Sequence, residues 1–346
     1  MIQKKKIIHI IHANINGGIE VGALKAEKYF KNKLNYKVNF IFNLNDNSIV
    51  KIKKSIRLYY SLKKKINANT ILISSLWVSH IICFLLKLSF TKFHWISFLH
   101  NTNYATFFNK FVCTKLTLFS NDIIFDSFIT AKSFLINKKI NRKNIVNFYF
   151  KDYKFIKSLD NKWHKRPYDF IIVARNIKQK GFLNLENFIQ YNLSNYKKYF
   201  KLLIITNNIL EDINLKNIKG KFSYKCDIHF KLNLPNHKVI SFLEKSKYYI
   251  CLSIHEGFAI TVAEALKSGC FILTTNVGEQ RNYLYKKRKK LINFNKKINF
   301  SKIEKDAISE KNFKNSINFF NKKVNFYTDQ IINFVSSINK RNKISH

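Results

Sequence analysis

Short apolar runs alternate with stretches of helical spacing along this chain, and the alternation runs through once, breaks, and starts again. Strands separated by helices cannot pair as hairpins. They pair in parallel and need helices on both faces, which predicts an α/β fold. In the first half the expected strands are Ile7–Ile11, Val38–Phe42, Thr70–Ser74, Trp95–Leu99, Ile123–Asp126 and Ile145–Tyr149. A helix over about 20–33 follows the first strand, and Ser127 is expected to cap the helix after the fifth. The stretch from Phe150 to Pro167 is charged and aperiodic and holds one of only two prolines, so the domain boundary belongs there. The pattern restarts with strands at Phe170–Val173, Leu202–Thr206, Ile228–Phe230, Tyr248–Leu252 and Phe271–Thr274, and with a helix opened by Leu234-Pro235-Asn236 and running to Lys245. Helical spacing returns between Asn312 and Ile338.

A chain of 346 residues is long for one core. The expected division is residues 1–155 as an N-terminal Rossmann-like domain and 165–310 as a second one. Residues 311–346 are expected to form a C-terminal helix that packs back on the first domain, followed by a basic tail. Two doubly wound domains would put a cleft between the carboxyl ends of their sheets, where such folds bind ligands.

The formal charge is +42, which taken alone suggests nucleic acid or an anionic membrane as partner. Lysine, asparagine, isoleucine and phenylalanine are abundant together from end to end, the mark of a nucleotide bias acting on codon choice. Arginine, the residue that reads bases and phosphates in bidentate fashion, is scarce. No specific nucleic acid is therefore expected, whereas an anionic membrane surface stays open as a partner. The five cysteines are scattered, with no C-x-x-C pair, which implies neither a disulfide framework nor a zinc site. The most apolar segment, Ile71 to Phe90, is interrupted by serines, His80 and Lys87 and reads as a strand plus a helix, not a membrane span. The expected location is the cytoplasm, at most peripheral on the inner face of the membrane.

Only eight glycines occur, and seven read as strand-to-helix turns: Gly17, Gly18, Gly22, Gly181, Gly257, Gly269 and Gly278. Glycine there lets backbone approach a ligand or take positive φ, although each alone is ordinary turn punctuation. Arg175 and Lys180 follow a strand and can aim two cations at one anion, as a diphosphate leaving group requires. The plainer reading is two solvated charges among 62 basic residues. His100 ends a strand, where it can bind a sugar hydroxyl or serve the fold alone. His9 and His12 flank the first turn.

Glu256 and Glu264 have seven residues between them in Ser253-Ile-His-Glu256-Gly257-Phe258-Ala259-Ile-Thr-Val-Ala-Glu264, within a chain of only 20 acids. On one helix that spacing would bring both near one face at a helix N-terminus. An acid in a first helical turn is also favourable in its own right, by about 0.5 kcal/mol. The run between them is apolar, so buried acids there would need partners such as sugar hydroxyls.

This segment resembles the E-x7-E signature of family 4 retaining glycosyltransferases of the GT-B fold, two doubly wound Rossmann-like domains facing across a cleft. The resemblance extends to Gly17-Gly18-Ile-Glu20, to Ile123 through Ser127, to Val173-Ala174-Arg175 with Lys180-Gly181, and to Val277-Gly278-Glu279. It departs at Ala174, where members carry Gly, and after Gly278, where Glu279 stands in place of a more distal acid.

What the resemblance implies is a hexosyltransferase of cell-surface polysaccharide or lipopolysaccharide synthesis. Its partners would be a nucleotide sugar donor and a glycan or lipid-linked acceptor. Arg175 and Lys180 would hold the diphosphate, Glu264 the ribose and Glu256 the donor sugar, with Gly257, Phe258 and Ala259 beside them. His100 would lie by the transferred sugar, and Gly17 and Gly18 would face donor phosphate and acceptor. No metal and no cofactor beyond the co-substrate would be needed. Two alternatives remain at this point: a GT-B-type UDP-sugar epimerase, and a basic non-catalytic binder of membrane or RNA.

Overall fold

The computed structural model describes residues 6–14, 17–43, 45–89, 92–100, 106–134, 144–147, 156–159, 163–197, 199–210, 214–324, 333 and 336. The chain divides into two compact units, residues 1–153 with 324–346, and residues 154–323.

The first unit runs β1 (Lys6–Asn14), α1 (Gly18–Leu34), β2 (Tyr36–Asn43), α2 (Ser48–Lys65), β3 (Thr70–Ser75), α3 (Trp77–Ser89), β4 (His94–Leu99), α4 (Phe107–Lys115), β5 (Asp122–Phe125) and α5 (Phe128–Phe134). Its sheet has the order β2-β1-β3-β4-β5, all parallel. β3 is buried at every position, as the apolar run Ile71–Ile73 requires of a central strand. Ala26 and Phe30 of α1 pack on one face of the sheet. On the other, Leu62 of α2 and Ile82 and Leu86 of α3 pack around Trp95. The Ser127 cap forms as expected, its Oγ accepting from the Thr130 amide at 3.1 Å. Of the strand expected at 145–149, Ile145 makes a single parallel bridge to Phe125, and positions 148 and 149 lie outside the described residues.

Sequence reading assigned nothing to 48–65, where α2 lies. The helix carries two apolar rows, Leu58, Tyr59 and Leu62 on the core side and Ile49, Ile52, Ile56 and Tyr60 exposed, so its apolar residues do not gather on a single face.

The second unit runs β6 (Tyr168–Val173), the single turn α6 (Leu185–Asn187), β7 (Phe200–Thr206), α7 (Leu215–Lys221), β8 (Cys226–Leu232), α8 (Asn236–Glu244), β9 (Ser246–Cys251), α9 (Ile260–Lys267), β10 (Phe271–Thr274), α10 (Gln280–Tyr283), β11 (Lys289–Leu291) and α11 (Phe300–Ile308). Its sheet is also parallel, with the order β11-β10-β9-β6-β7-β8. β11 escaped sequence reading because two of its three residues are lysines. Residues 310–324 are helical, and most of the C-terminal helix expected beyond them lies outside the described residues.

Three glycines differ from expectation. Gly18 opens α1 and Gly22 lies inside it. Gly269 belongs to the helix-to-strand turn between α9 and β10, at φ +77°.

Candidate active site

In the second sheet β6 comes first in sequence, yet it lies between β9 and β7. The connections leave it in opposite senses on its two sides. Such a switch point opens a crevice at the carboxyl ends of the strands. It also makes neighbours of the loops after β6 and β9. The amide of Ile254 donates to Gln179 O at 2.9 Å, and Gln179 Nε2 donates to His255 O at 3.1 Å.

Across that seam Lys180 Nζ donates to Glu256 Oε1 at 2.7 Å, linking residues 76 apart in sequence. Ser253 Oγ donates to the same oxygen at 2.6 Å. Both charges are largely enclosed, with side-chain exposures of 20% and 12%. Glycines make the enclosure sterically feasible. At Gly181, φ +75°, a Cβ would collide with the Leu252 carbonyl. At Gly278, φ +61°, it would lie 2.7 Å from Gly257 O and 2.8 Å from Glu256 Cβ. The next amide, Glu279 N, donates to Gly257 O at 2.8 Å, so the turn before α10 clasps the loop carrying Glu256.

Glu256 is not on a helix. α9 begins at Ile260, and Ala259 before it is in the left-handed region at φ 60°, so the helix does not reach back to Glu256. They do not share a helical face, and this part of the expectation is corrected. Glu264 lies within α9, 1% exposed, and its Oε1 accepts from Asn236 Nδ2 of α8 at 2.8 Å. Phe258 turns inward and stacks on Tyr283 with centroids 4.9 Å apart, while Tyr283 donates its hydroxyl to Ala259 O at 2.8 Å. The Phe258 ring therefore anchors the loop, and the Gly257 and Ala259 carbonyls are held by Glu279 N and Tyr283 Oη. Arg175, just past β6, is exposed, and among the described residues its guanidinium has no ion-pair partner.

The second unit thus brings together Lys180, Glu256 and Gly257 directly, with Phe258 and Ala259 in the same loop, Glu264 in the following helix and Arg175 at the adjoining strand end. Gly17, Gly18 and His100 belong to the first unit. There the switch falls between β1 and β3. Gly17 caps α1 just after β1, and a Cβ on it would meet the carboxylate of the buried Glu20. His100 follows β4. Its Nε2 is 2.9 Å from Ser75 Oγ, and its Nδ1 is 4.0 Å from Asp126 Oδ2. The same Ser75 hydroxyl is 2.7 Å from His9 Nε2, and His9 Nδ1 is 2.5 Å from Tyr36 Oη. Burial, aided by His9 and His80, holds His100 well below the usual imidazole range, so it is neutral at pH 7.

Ser253, Ser75 and Asn236 complete these contacts and were not singled out as site residues from the sequence. Serines at the ends of apolar strands were the available signal for the first two. Among the described residues no group of three or more His, Cys, Asp or Glu side chains could hold a metal ion, and no helix is long and apolar enough to cross a membrane. All five cysteines are buried and free.

No curated protein sequence matches the chain. Solved structures match its fold along nearly its whole length. A glycosyltransferase from Rickettsia africae is 17% identical, with a TM-score of 0.63, covering 98% of this chain and 99% of that one. HepE of Anabaena, solved in complex with UDP-glucose, is 12% identical with a TM-score of 0.68, covering 96% and 100%. The lipopolysaccharide outer core galactosyltransferase WaaB in its apo form is 15% identical with a TM-score of 0.66, covering 96% and 99%. At these identities the likeness establishes the GT-B fold class. The family described as glycosyl transferases group 1 matches residues 155–323, the span of the second unit and of the Lys180–Glu256 site. A match to glycosyl transferases group 1 over residues 155–323, in a chain of GT-B fold, marks this protein as a glycosyltransferase.

Proposed function

We propose that this enzyme moves a hexosyl group from a nucleotide-diphosphate sugar to a glycan or lipid-linked acceptor, with retention of anomeric configuration, in the assembly of a cell-surface polysaccharide or lipopolysaccharide. The observation that carries the reading is the Lys180–Glu256–Ser253 cluster at the switch point, beside the exposed Arg175. Two cations and a carboxylate there match the two ends of a sugar diphosphate. Arg175 and Lys180 offset the charge that grows on the diphosphate as the bond breaks, and Glu256 accepts from donor sugar hydroxyls. Glu264 accepts from the ribose.

In the reaction the bond from the anomeric carbon to the phosphate oxygen breaks. The acceptor oxygen forms its bond on the same face, and the acceptor's proton passes to the departing phosphate oxygen. His100, neutral, hydrogen-bonds the transferred sugar, and Gly17 and Gly18 leave room for phosphate and acceptor. The co-substrate is the only small molecule this scheme needs. HepE, of the same fold, was solved with UDP-glucose, and WaaB is a lipopolysaccharide galactosyltransferase, which supports a nucleotide sugar and a glycan acceptor here. We place the enzyme in the cytoplasm.

Thermal unfolding in the presence of UDP-, GDP- and ADP-sugars tests the donor. A true donor at one hundred times its dissociation constant adds about 2.7 kcal/mol of stability. Absence of stabilisation by every nucleotide sugar would overturn the reading. Epimerised sugar released without any acceptor would point instead to an epimerase.

A further inference from the structure

The side of the first unit covered by α2, α3 and α4 carries side chains that the transfer reaction does not use. Phe107 is 85% exposed, and Phe108, Phe111, Leu118 and Phe119 are each about half exposed or more. These rings are not scattered. Trp77 and Phe84 of α3 stand seven residues apart, two helical turns along one stripe. Phe108 packs on Trp77 with centroids 5.7 Å apart, and Phe119 packs on Phe84 at 5.0 Å. The apolar surface therefore runs the length of α3, and Leu88, 68% exposed, extends it at the helix end. There Tyr59 of α2 and Ser89 share a hydrogen bond of 2.8 Å. α2 presents its own stripe of Ile49, Ile52, Ile56 and Tyr60. Exposed apolar surface on this scale marks an interaction site.

Charge identifies the partner. From residue 47 to residue 121 the chain holds no aspartate or glutamate, although it carries Lys51, Lys53, Lys54, Arg57 and seven further lysines. Lys110 and Lys115 lie on α4, the helix of Phe107, Phe108 and Phe111, and are exposed, as is Lys92. We propose that this face docks on an anionic lipid surface, with the phenylalanines entering the acyl boundary and the lysines on the headgroups. Basic, acid-free helices with exposed aromatic and aliphatic side chains suit that boundary. A second copy of the chain is disfavoured, because pairing two such faces would appose like charges. The inference goes beyond the transfer reaction and is read without turnover, so failure of either leaves the other standing.

The test is co-sedimentation of the full chain with vesicles of phosphatidylcholine alone, or with added phosphatidylglycerol. The wild type should partition only onto the anionic vesicles. Phe107→Ser/Phe111→Ser/Phe119→Ser should lower that partitioning at least about tenfold at low and high salt alike, with an unchanged thermal midpoint. Lys110→Glu/Lys115→Glu should lower it chiefly at low salt. If the triple variant fails to fold, Phe107→Ser alone carries the test. Equal binding by the phenylalanine variants would overturn the proposal. So would self-association, or retention on RNA, that those substitutions abolish while vesicle binding is absent.

Discussion

One oxygen of Glu256 accepts from both Lys180 and Ser253. Among the described residues no hydrogen bond reaches its second oxygen, and the shared one ties the position of the acid to the Lys180 cation. Glu256→Gln keeps the shape and removes the charge. It should lower kcat by roughly a hundredfold or more, in the range found when one transition-state contact is lost, while the thermal midpoint holds. Glu264→Gln keeps an acceptor for Asn236 and should instead raise the KM for the nucleotide sugar about tenfold. Steady-state kinetics separates the two, and a kcat effect from both would contradict the division of roles. At this scale the sequence was informative where residues are rare. Two acids in a basic chain and a few glycines stood out, whereas Ser253, Ser75 and Asn236 look like any other polar residue at an element's end. Their roles exist only once distant loops are adjacent.

Between β10 and α10, Gly278 takes positive φ and has no room for a Cβ. Gly278→Ala should push on Gly257 O and Glu256 Cβ, cost about 1–3 kcal/mol of stability, and lower kcat by displacing Glu256. Urea unfolding and kinetics read both effects, and a variant of wild-type stability and activity would refute the steric argument. The first sheet carries a different liability. Burial holds His9 and His80 each down to about 3, and His100 well below its usual range. Above pH 6.5 neither folded nor unfolded chain protonates them. Below it the unfolded chain gains protons that the folded one cannot, so stability falls by about 1.4 kcal/mol per pH unit for each histidine. The thermal midpoint should therefore drop between pH 7 and pH 5, before most carboxylates titrate. A flat profile over that window would show the imidazoles to be accessible. Most strands were legible from their apolar runs. The order of strands in a sheet was not, because it depends on which side each crossover turns. The adjacency of β6 and β9, and with it the site, follows from that order.

A formal charge of +42 acts on the chain as a whole. Self-repulsion disfavours the compact state, and salt screens it. Raising chloride from about 0.02 M to about 0.3 M, across which the Debye length shortens several-fold, should raise the thermal midpoint. A fall would mean that ion pairs such as Lys180–Glu256 outweigh the repulsion. The repeated α/β rhythm made a two-part chain legible, and the units divide near residue 154. What stayed hidden was the concentration of basic and apolar surface on one set of helices. Lysine is spread along the whole sequence, and only the folded arrangement shows that the acid-free stretch from 47 to 121 also gathers exposed aromatic side chains.

The Ser75 hydroxyl has one hydrogen and two imidazole neighbours, so it cannot donate to both. The Asp126 carboxylate faces His100 Nδ1, which favours a hydrogen on that nitrogen and leaves Nε2 bare. Ser75 must then donate to His100. His9 must donate from Nε2 to Ser75, and the Tyr36 hydroxyl must donate to His9 Nδ1. The buried polar groups form a one-way row of dipoles whose direction is set at His100 by Asp126 and felt at a tyrosine three partners away. Asp126→Ala would remove the group that sets this direction, and imidazole nitrogen resonances of His100 should then show the hydrogen no longer held on Nδ1.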